Sequence, residues 1–266
     1  MSDSHVIVAP TLAMMADIYE LSREGGARSP RFTAYVSRVE HHWGLSAYNP
    51  MAGQNARDTV CTLIANDAER IAFDEAQTFT ARCEFGGDIT IAIVVPSPGM
   101  WTDRLATEIQ HRTTGTRRPA HGAVMLWPGD ALDDAHVRHE CAAEVVRTMW
   151  TAYHGVPATL AGVLAREGLC YALAAEGGQE ERGASGDGDG PAVEEAIGVL
   201  GDTTEQSEIV AVMYGDTAAA TMGWSPLGVP ERAGYRWAIA RARKIVGRLG
   251  APAALRDSFP PTPTRS

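Results

Sequence analysis

The segment that decides the fold class is HGAVMLWPGDALDDAHVRHECAAEVVRTMWTAY, residues 121–153. Its first seven residues are largely apolar and end at Pro128-Gly129-Asp130, a pattern that predicts a buried strand over 121–127. Asp133 or Asp134 can then cap a helix that the apolar spacing predicts over 134–153. We therefore expect a strand followed by a long helix that packs beneath a small sheet.

The flanking sequence predicts one more strand and several helices. Residues 88–95 are β-branched and lie between Gly86-Gly87 and Pro96, which is typical of a buried strand. Apolar residues recur at steps of three and four in the other segments, which indicates helices. These helices are predicted over 11–20, 31–43, 55–72 and 158–176. The expected fold class is α+β, mostly helical with a small sheet.

Composition predicts a single folded domain over residues 1–250. Within it we expect a helical part at 1–80, the sheet and its two long helices at 85–176, and further helices at 190–250. The polar, glycine-rich stretch 176–190 cannot bury apolar surface and is expected to be a mobile loop. The proline-rich tail 251–266 is expected to be disordered.

Charge, apolar runs and cysteine spacing lead to expectations about partners and cellular location. The net charge is −10 and the basic residues form no cluster longer than Arg117-Arg118, so we expect no nucleic-acid partner. The amino terminus does not have the pattern of a signal peptide, and no apolar run approaches the roughly 20 residues of a membrane span. Four cysteines without C-x-x-C spacing predict reduced thiols and a cytoplasmic location.

The candidate catalytic and metal-binding residues lie in the segment His136-Val-Arg-His139-Glu140-Cys-Ala-Ala143-Glu144. His139-Glu140 begins an H-E-x-x-H pattern, in which two histidines one helical turn apart bind zinc and the glutamate acts as general base. Ala143 stands where the second histidine belongs. The zinc motif is therefore degenerate.

Two downstream motifs follow in the order of a known family. One is Glu167-Gly168-Leu169, and the other is Pro230-Glu-Arg-Ala-Gly234-Tyr235. With His139-Glu140 they resemble a bacterial family of predicted zinc-dependent peptidases of the gluzincin clan. That family is marked by H-E-x-x-H, a Glu-Gly-Leu-Ala helix and a Pro-x-x-x-Gly-Tyr helix. The resemblance spans about residues 85 to 250.

The resemblance implies a gluzincin-like fold, a zincin-like domain and a set of site residues. His139 would be the first zinc ligand, Glu167 the third, and Glu140 the general base. Tyr235 would donate a hydrogen bond to a developing oxyanion, with core packing as the alternative. We expect His139 and Glu140 to face Glu167 in one pocket.

Several residues can fill the vacancy at Ala143. His136, His139, Glu140 and Glu144 form one polar stripe at about 100° per residue. The stripe permits a metal held by His136, Glu140 and Glu144. Equally, His139 and Glu167 can act with a displaced ligand. The candidates for that ligand are Cys141, His154 and Cys170.

Three functions remain open on this pattern. The first is a metal-dependent hydrolase, with zinc as cofactor and a substituted ligand. The second is a metal-free relative that keeps the cleft to bind a peptide or a protein partner. The third is an enzyme of non-peptidase chemistry, acting on a small molecule with His139 and Glu140 as acid and base. No nucleotide or serine-hydrolase motif occurs.

Overall fold

The structure is a computed structural model that describes residues 5–40, 45, 48–97, 103–114, 120–174 and 190–257. The chain forms two compact units. The first comprises Met1–Ala81, Gly86–Arg104 and Ala120–Thr148, and the second Arg82–Phe85, Leu105–Pro119 and Met149–Ser266. The predicted mobile loop falls almost wholly outside the described residues, as does the tail from 258 onward.

A three-stranded parallel sheet lies in the first unit. Its strands are β1 (Val6–Ala9), β2 (Ile89–Val94) and β3 (His121–Met125), in the order β1-β2-β3. The predictions for β2 and β3 are confirmed. Strand β1 corrects the expectation that residues 1–80 are purely helical, since a four-residue apolar run is too short to stand out by periodicity.

The described part of the first unit also contains five α-helices and one turn of 3-10 helix. They are α1 (Thr11–Tyr19), the 3-10 turn Gly26–Arg28, α2 (Pro30–Val39), α3 (Gln54–Ala65), α4 (Ala68–Arg82, whose last residue is in the second unit) and the first part of α6 (Asp134–His154). The helical segment predicted over 55–72 is divided between α3 and α4. Asp67 has a φ of 54°, a left-handed conformation that ends α3 and separates it from α4.

The second unit is helical in its described part. Its helices are α5 (Arg104–Thr114, whose first residue is in the first unit), α7 (Leu160–Ala174), α8 (Gly190–Leu200), α9 (Gln206–Tyr214), α10 (Asp216–Thr221), α11 (Ala233–Leu249) and α12 (Ala251–Asp257), together with the last turns of α6. Helix α7 packs along α11. Helix α12 corrects the expected disorder of 251–257, because Ala254 and Leu255 are fully buried.

The mostly helical α+β class is confirmed. Among the described helices, none combines the length and apolar character that crossing a bilayer requires.

Candidate functional site

Helix α6 carries the first group of predicted site residues. The Asp133 carboxylate accepts a 2.8 Å hydrogen bond from the His136 backbone N–H, which confirms a cap at this end. His136, His139 and Glu140 are half-buried, whereas Ala143 is fully buried. The position of the missing histidine therefore lies inside the first unit, where a methyl group packs.

Glu144 is nearly fully buried and both its carboxylate oxygens are bonded. Oε1 accepts a 3.0 Å hydrogen bond from the backbone N–H of Ala123, and Oε2 pairs with the Arg147 guanidinium. The Leu126 N–H donates to Val94 in β2, so the Ala123 N–H three residues earlier points to the opposite edge of β3. Glu144 thus fastens α6 to that edge.

His136 lies beside a second ion pair of the first unit. The Arg104 guanidinium bonds both oxygens of Asp130, at 2.7 and 3.1 Å, and stacks over the Trp127 ring at 5.3 Å. His136 Nε2 is 3.9 Å from the nearer Asp130 oxygen, beyond hydrogen-bond distance. The Asp130 carboxylate beside the His136 ring is therefore already neutralised by Arg104.

Cys141 and His154, two of the displaced-ligand candidates, have structural surroundings. Burial, with a smaller contribution from the Glu140 charge, raises the pKa of the Cys141 thiol. The thiol therefore stays protonated at neutral pH, which disfavours metal binding and nucleophilic attack. His154 Nε2 lies 2.8 Å from the Leu255 carbonyl oxygen in the second unit, and the His154 ring centre lies 4.6 Å from that of Trp150.

Glu167 on α7 is completely buried in the second unit. Its Oε1 accepts a 2.9 Å hydrogen bond from Nε of Arg166, which is also completely buried. Its Oε2 lies 3.4 Å from the Tyr235 hydroxyl, which donates to it. The structure thus brings together Glu167 and Tyr235, two residues that the resemblance places in one site.

Tyr235 lies at the centre of an aromatic and cationic cluster. Its hydroxyl is 3.4 Å from that of Tyr214 and 3.5 Å from Nη1 of Arg112. Burial raises the pKa of Tyr235 well above 10. Tyr235 is therefore a neutral hydrogen-bond donor at physiological pH. The short sequence motifs gave no sign of Tyr214 or Arg112, which join the cluster through tertiary packing.

The two motif glycines have a packing explanation. A Cβ at Gly168 would lie 2.5 Å from the Ala238 carbonyl oxygen, and one at Gly234 would overlap the backbone of Val212. Both glycines allow helices of the second unit to approach backbone to backbone. The glycines of the Glu-Gly-Leu and Gly-Tyr motifs are therefore explained by close helix packing in this chain.

The residues of the predicted zinc site are divided between the two units. His139 and Glu140 belong to the first unit, and Glu167 and Tyr235 to the second, so their convergence remains a prediction. Within the described ranges, no three His, Cys, Asp or Glu side chains are grouped so that they could hold a metal ion. Comparisons with family models, curated proteins and solved structures find no match to this chain.

Proposed function

We propose that this chain is a metal-free relative of the gluzincin peptidases that binds a peptide without cleaving it by a zinc mechanism. The observation that carries the proposal is the buried ion pair between Glu167 and Arg166. A carboxylate that ligates zinc directs a lone pair at the metal. A zinc ion next to Glu167 would place a second cation against the buried Arg166 guanidinium, and the two would repel each other strongly in that interior.

Residues of α6 support the same proposal. Ala143 offers no donor atom, and both oxygens of Glu144 are engaged by Arg147 and by the backbone of β3. Losing one ligand from a three-ligand site removes most of its affinity for metal. The resemblance supplies the substrate class, because a peptidase cleft that lost its metal would still fit an extended peptide.

The test combines binding and cleavage on one protein. Fluorescent peptides are titrated against the purified chain with and without a chelator, and the same mixtures are analysed for cleavage by mass spectrometry. We expect binding that is insensitive to the chelator, and intact peptides. Cleavage that stops with the chelator and in Glu140→Gln would overturn the proposal.

A second candidate is a metal-free enzyme that uses His139 and Glu140 for proton transfer. The half-buried state of both residues favours it, since a substrate can reach them. This candidate predicts that chelator-treated protein converts a small molecule and that His139→Ala abolishes the conversion without loss of fold. A His139→Ala variant with unchanged turnover would exclude it.

A further inference from the structure

Helix α11 of the second unit carries positive charges only. It has 17 residues and contains no aspartate or glutamate, whereas the chain as a whole has a net charge of −10. Its basic residues are Arg236, Arg241, Arg243, Lys244 and Arg248. Only Arg243 and Lys244 are adjacent in the sequence, so the positive charge becomes concentrated when the helix forms.

Three of these residues and a tryptophan form one stripe along the helix. At about 100° per residue, Trp237, Arg241, Lys244 and Arg248 lie within about 60° of one another around the helix axis. The three basic residues are exposed, and Trp237 is half-buried. We call these four residues the basic stripe. It is about 17 Å long, because an α-helix rises about 1.5 Å per residue.

The positive charges of the basic stripe have no carboxylate partner among the described residues. Arg241, Lys244 and Arg248 take part in no ion pair there. The guanidinium carbon of Arg241 lies 5.3 Å from the centre of the Trp237 ring, a contact that leaves its charge in place. By contrast, Arg70 in the first unit pairs with two carboxylates.

The helix dipole accounts for one charge of the basic stripe. The attraction between a cation and the carbonyl end of a helix falls off within the last turn, which contains Arg248. Arg241 and Lys244 lie further from that end. Like charges at steps of three and four residues also repel each other and destabilise a helix. The arrangement is therefore unfavourable for the chain alone, and an acidic partner would relieve it.

The surroundings of the basic stripe favour an acidic helix over a membrane or a nucleic acid. The apolar face of α11 packs along α7 in the same unit, so it is not available to enter a bilayer. The net charge of −10 opposes the approach of a nucleic-acid backbone. A second helix with carboxylates at steps of three and four can lie beside α11 and meet the basic residues at their own spacing.

Trp237 adds an apolar contact at one end of the basic stripe. Its indole N–H donates a 3.3 Å hydrogen bond to Oε1 of Glu194 on α8, which holds the ring in one orientation. A fixed and partly exposed tryptophan beside charged residues is typical of the anchor positions of protein interfaces.

We propose that the basic stripe of α11 is a docking surface for an acidic helical segment of a partner protein. The inference does not depend on the proposed function, because none of the four stripe residues belongs to the candidate site.

The experiment compares two labelled helical peptides of identical composition. One places its glutamates at steps of three and four on a single face, and the other distributes them around the helix. Binding to the full chain is measured by fluorescence anisotropy near physiological ionic strength. We expect the one-face peptide to bind about fivefold more tightly, the order of two exposed ion pairs, and its affinity should fall as sodium chloride is raised.

A combined variant assigns this binding to the basic stripe. Arg241→Gln, Lys244→Gln and Arg248→Gln together should lower the affinity for the one-face peptide about tenfold. The fold should be retained, because all three positions are exposed and glutamine is a good helix former. Lys244→Gln alone should show a smaller loss, and it tests the stripe even where the combined variant fails to fold.

The matched control removes the same charge elsewhere. Arg23→Gln, Arg28→Gln and Arg70→Gln change three exposed arginines of the first unit and alter the net charge equally. This variant should bind the one-face peptide as the natural chain does. An equal loss in the control and in the stripe variant would mean that only the overall charge matters, which would overturn the site.

Other outcomes decide the nature of the partner. Equal affinity for the two peptides would overturn the helical occupant. Duplex DNA and vesicles containing phosphatidylserine are titrated in the same way. Tighter binding of either probe than of the one-face peptide, lost in the stripe variant, would overturn the protein partner and assign the surface to a nucleic acid or a membrane.

Discussion

Each unit of this protein buries a glutamate that the sequence marks as a candidate metal ligand, and each compensates it with an arginine of the same helix. In the first unit Glu144 pairs with Arg147 one turn away and holds the backbone N–H of Ala123. In the second unit Glu167 pairs with its neighbour Arg166 and reaches the Tyr235 hydroxyl.

The two pairs differ in the other hydrogen-bond partners of their carboxylates. Glu144 joins a helix to a strand, because its carboxylate accepts a hydrogen bond from the backbone N–H of Ala123. Glu167 instead contacts two side chains, Arg166 and Tyr235, and Nη1 of that arginine has no hydrogen-bond acceptor among the described residues. A buried ion pair alone is weak evidence for stability, so the two pairs are compared by how strongly each buried glutamate depends on its arginine.

The largest loss of stability is expected when the Arg166 guanidinium is removed. Arg166→Met removes a charged partner of the completely buried Glu167 carboxylate, so the free energy of unfolding should fall by about 3–5 kcal/mol. Adding Glu167→Leu should recover most of the loss. Urea unfolding of the natural chain, of the single variants Arg166→Met and Glu167→Leu, and of the double variant measures the coupling. If the double variant is as unstable as Arg166→Met, the carboxylate is not compensated by this arginine.

The matching change in the first unit should cost less. Arg147→Met leaves Glu144 with the 3.0 Å hydrogen bond from Ala123, so we expect a loss of about 2–3 kcal/mol. Glu144→Gln in the same background should restore part of it, because the amide oxygen still accepts from Ala123 without a charge. A larger loss than that of Arg166→Met would reverse our ranking of the two pairs.

The motif glycine of α11 tests packing in the second unit. Gly234→Ala should destabilise by about 1–3 kcal/mol, because its Cβ would overlap the Val212 backbone. Gly247 on the same helix meets nothing within 4 Å, so Gly247→Ala should stabilise by about 0.5–1 kcal/mol. Thermal unfolding of both variants measures the contrast. Equal effects would mean that Gly234 is not a close-approach position.

The smallest effect is a loss of stability in alkali. Burial raises the pKa of Tyr235, and it raises that of Tyr19 in the first unit to about 12. An unfolded tyrosine loses its proton from about pH 10, so above that pH the unfolded chain binds fewer protons than the folded one. The contribution of both residues is therefore complete below about pH 10 and falls above it. Urea midpoints from pH 8 to 11 should decline, and less steeply in Tyr19→Phe.

Periodicity was sufficient to predict some of the long elements of the fold, but not the bounds of helices α4 and α11. Strands β2 and β3 and helices α6 and α7 have enough apolar residues at one spacing to be recognised. Strand β1 is too short for that, and the break between α3 and α4 depends on the left-handed Asp67, which apolar spacing does not reveal.

The residues of the candidate site could be predicted from the sequence, but their burial and their pairing could not. Glu167 and Tyr235 do lie together in the structure. The sequence also shows Arg166 beside Glu167, but its ordinary interpretation is a solvent-exposed pair, because arginine and glutamate are seldom fully buried. Their complete burial follows from the packing of α7 along α11, which no local pattern reports.

The central claim is that Arg166, and not a metal ion, neutralises Glu167. Calorimetric titration of zinc into the chelator-treated natural chain and into Glu167→Gln tests it most directly. We predict no stoichiometric zinc binding by the natural chain and no difference between the two proteins. One zinc ion bound per chain, and lost in both Glu167→Gln and His139→Ala, would contradict the claim and restore the metal-dependent hydrolase.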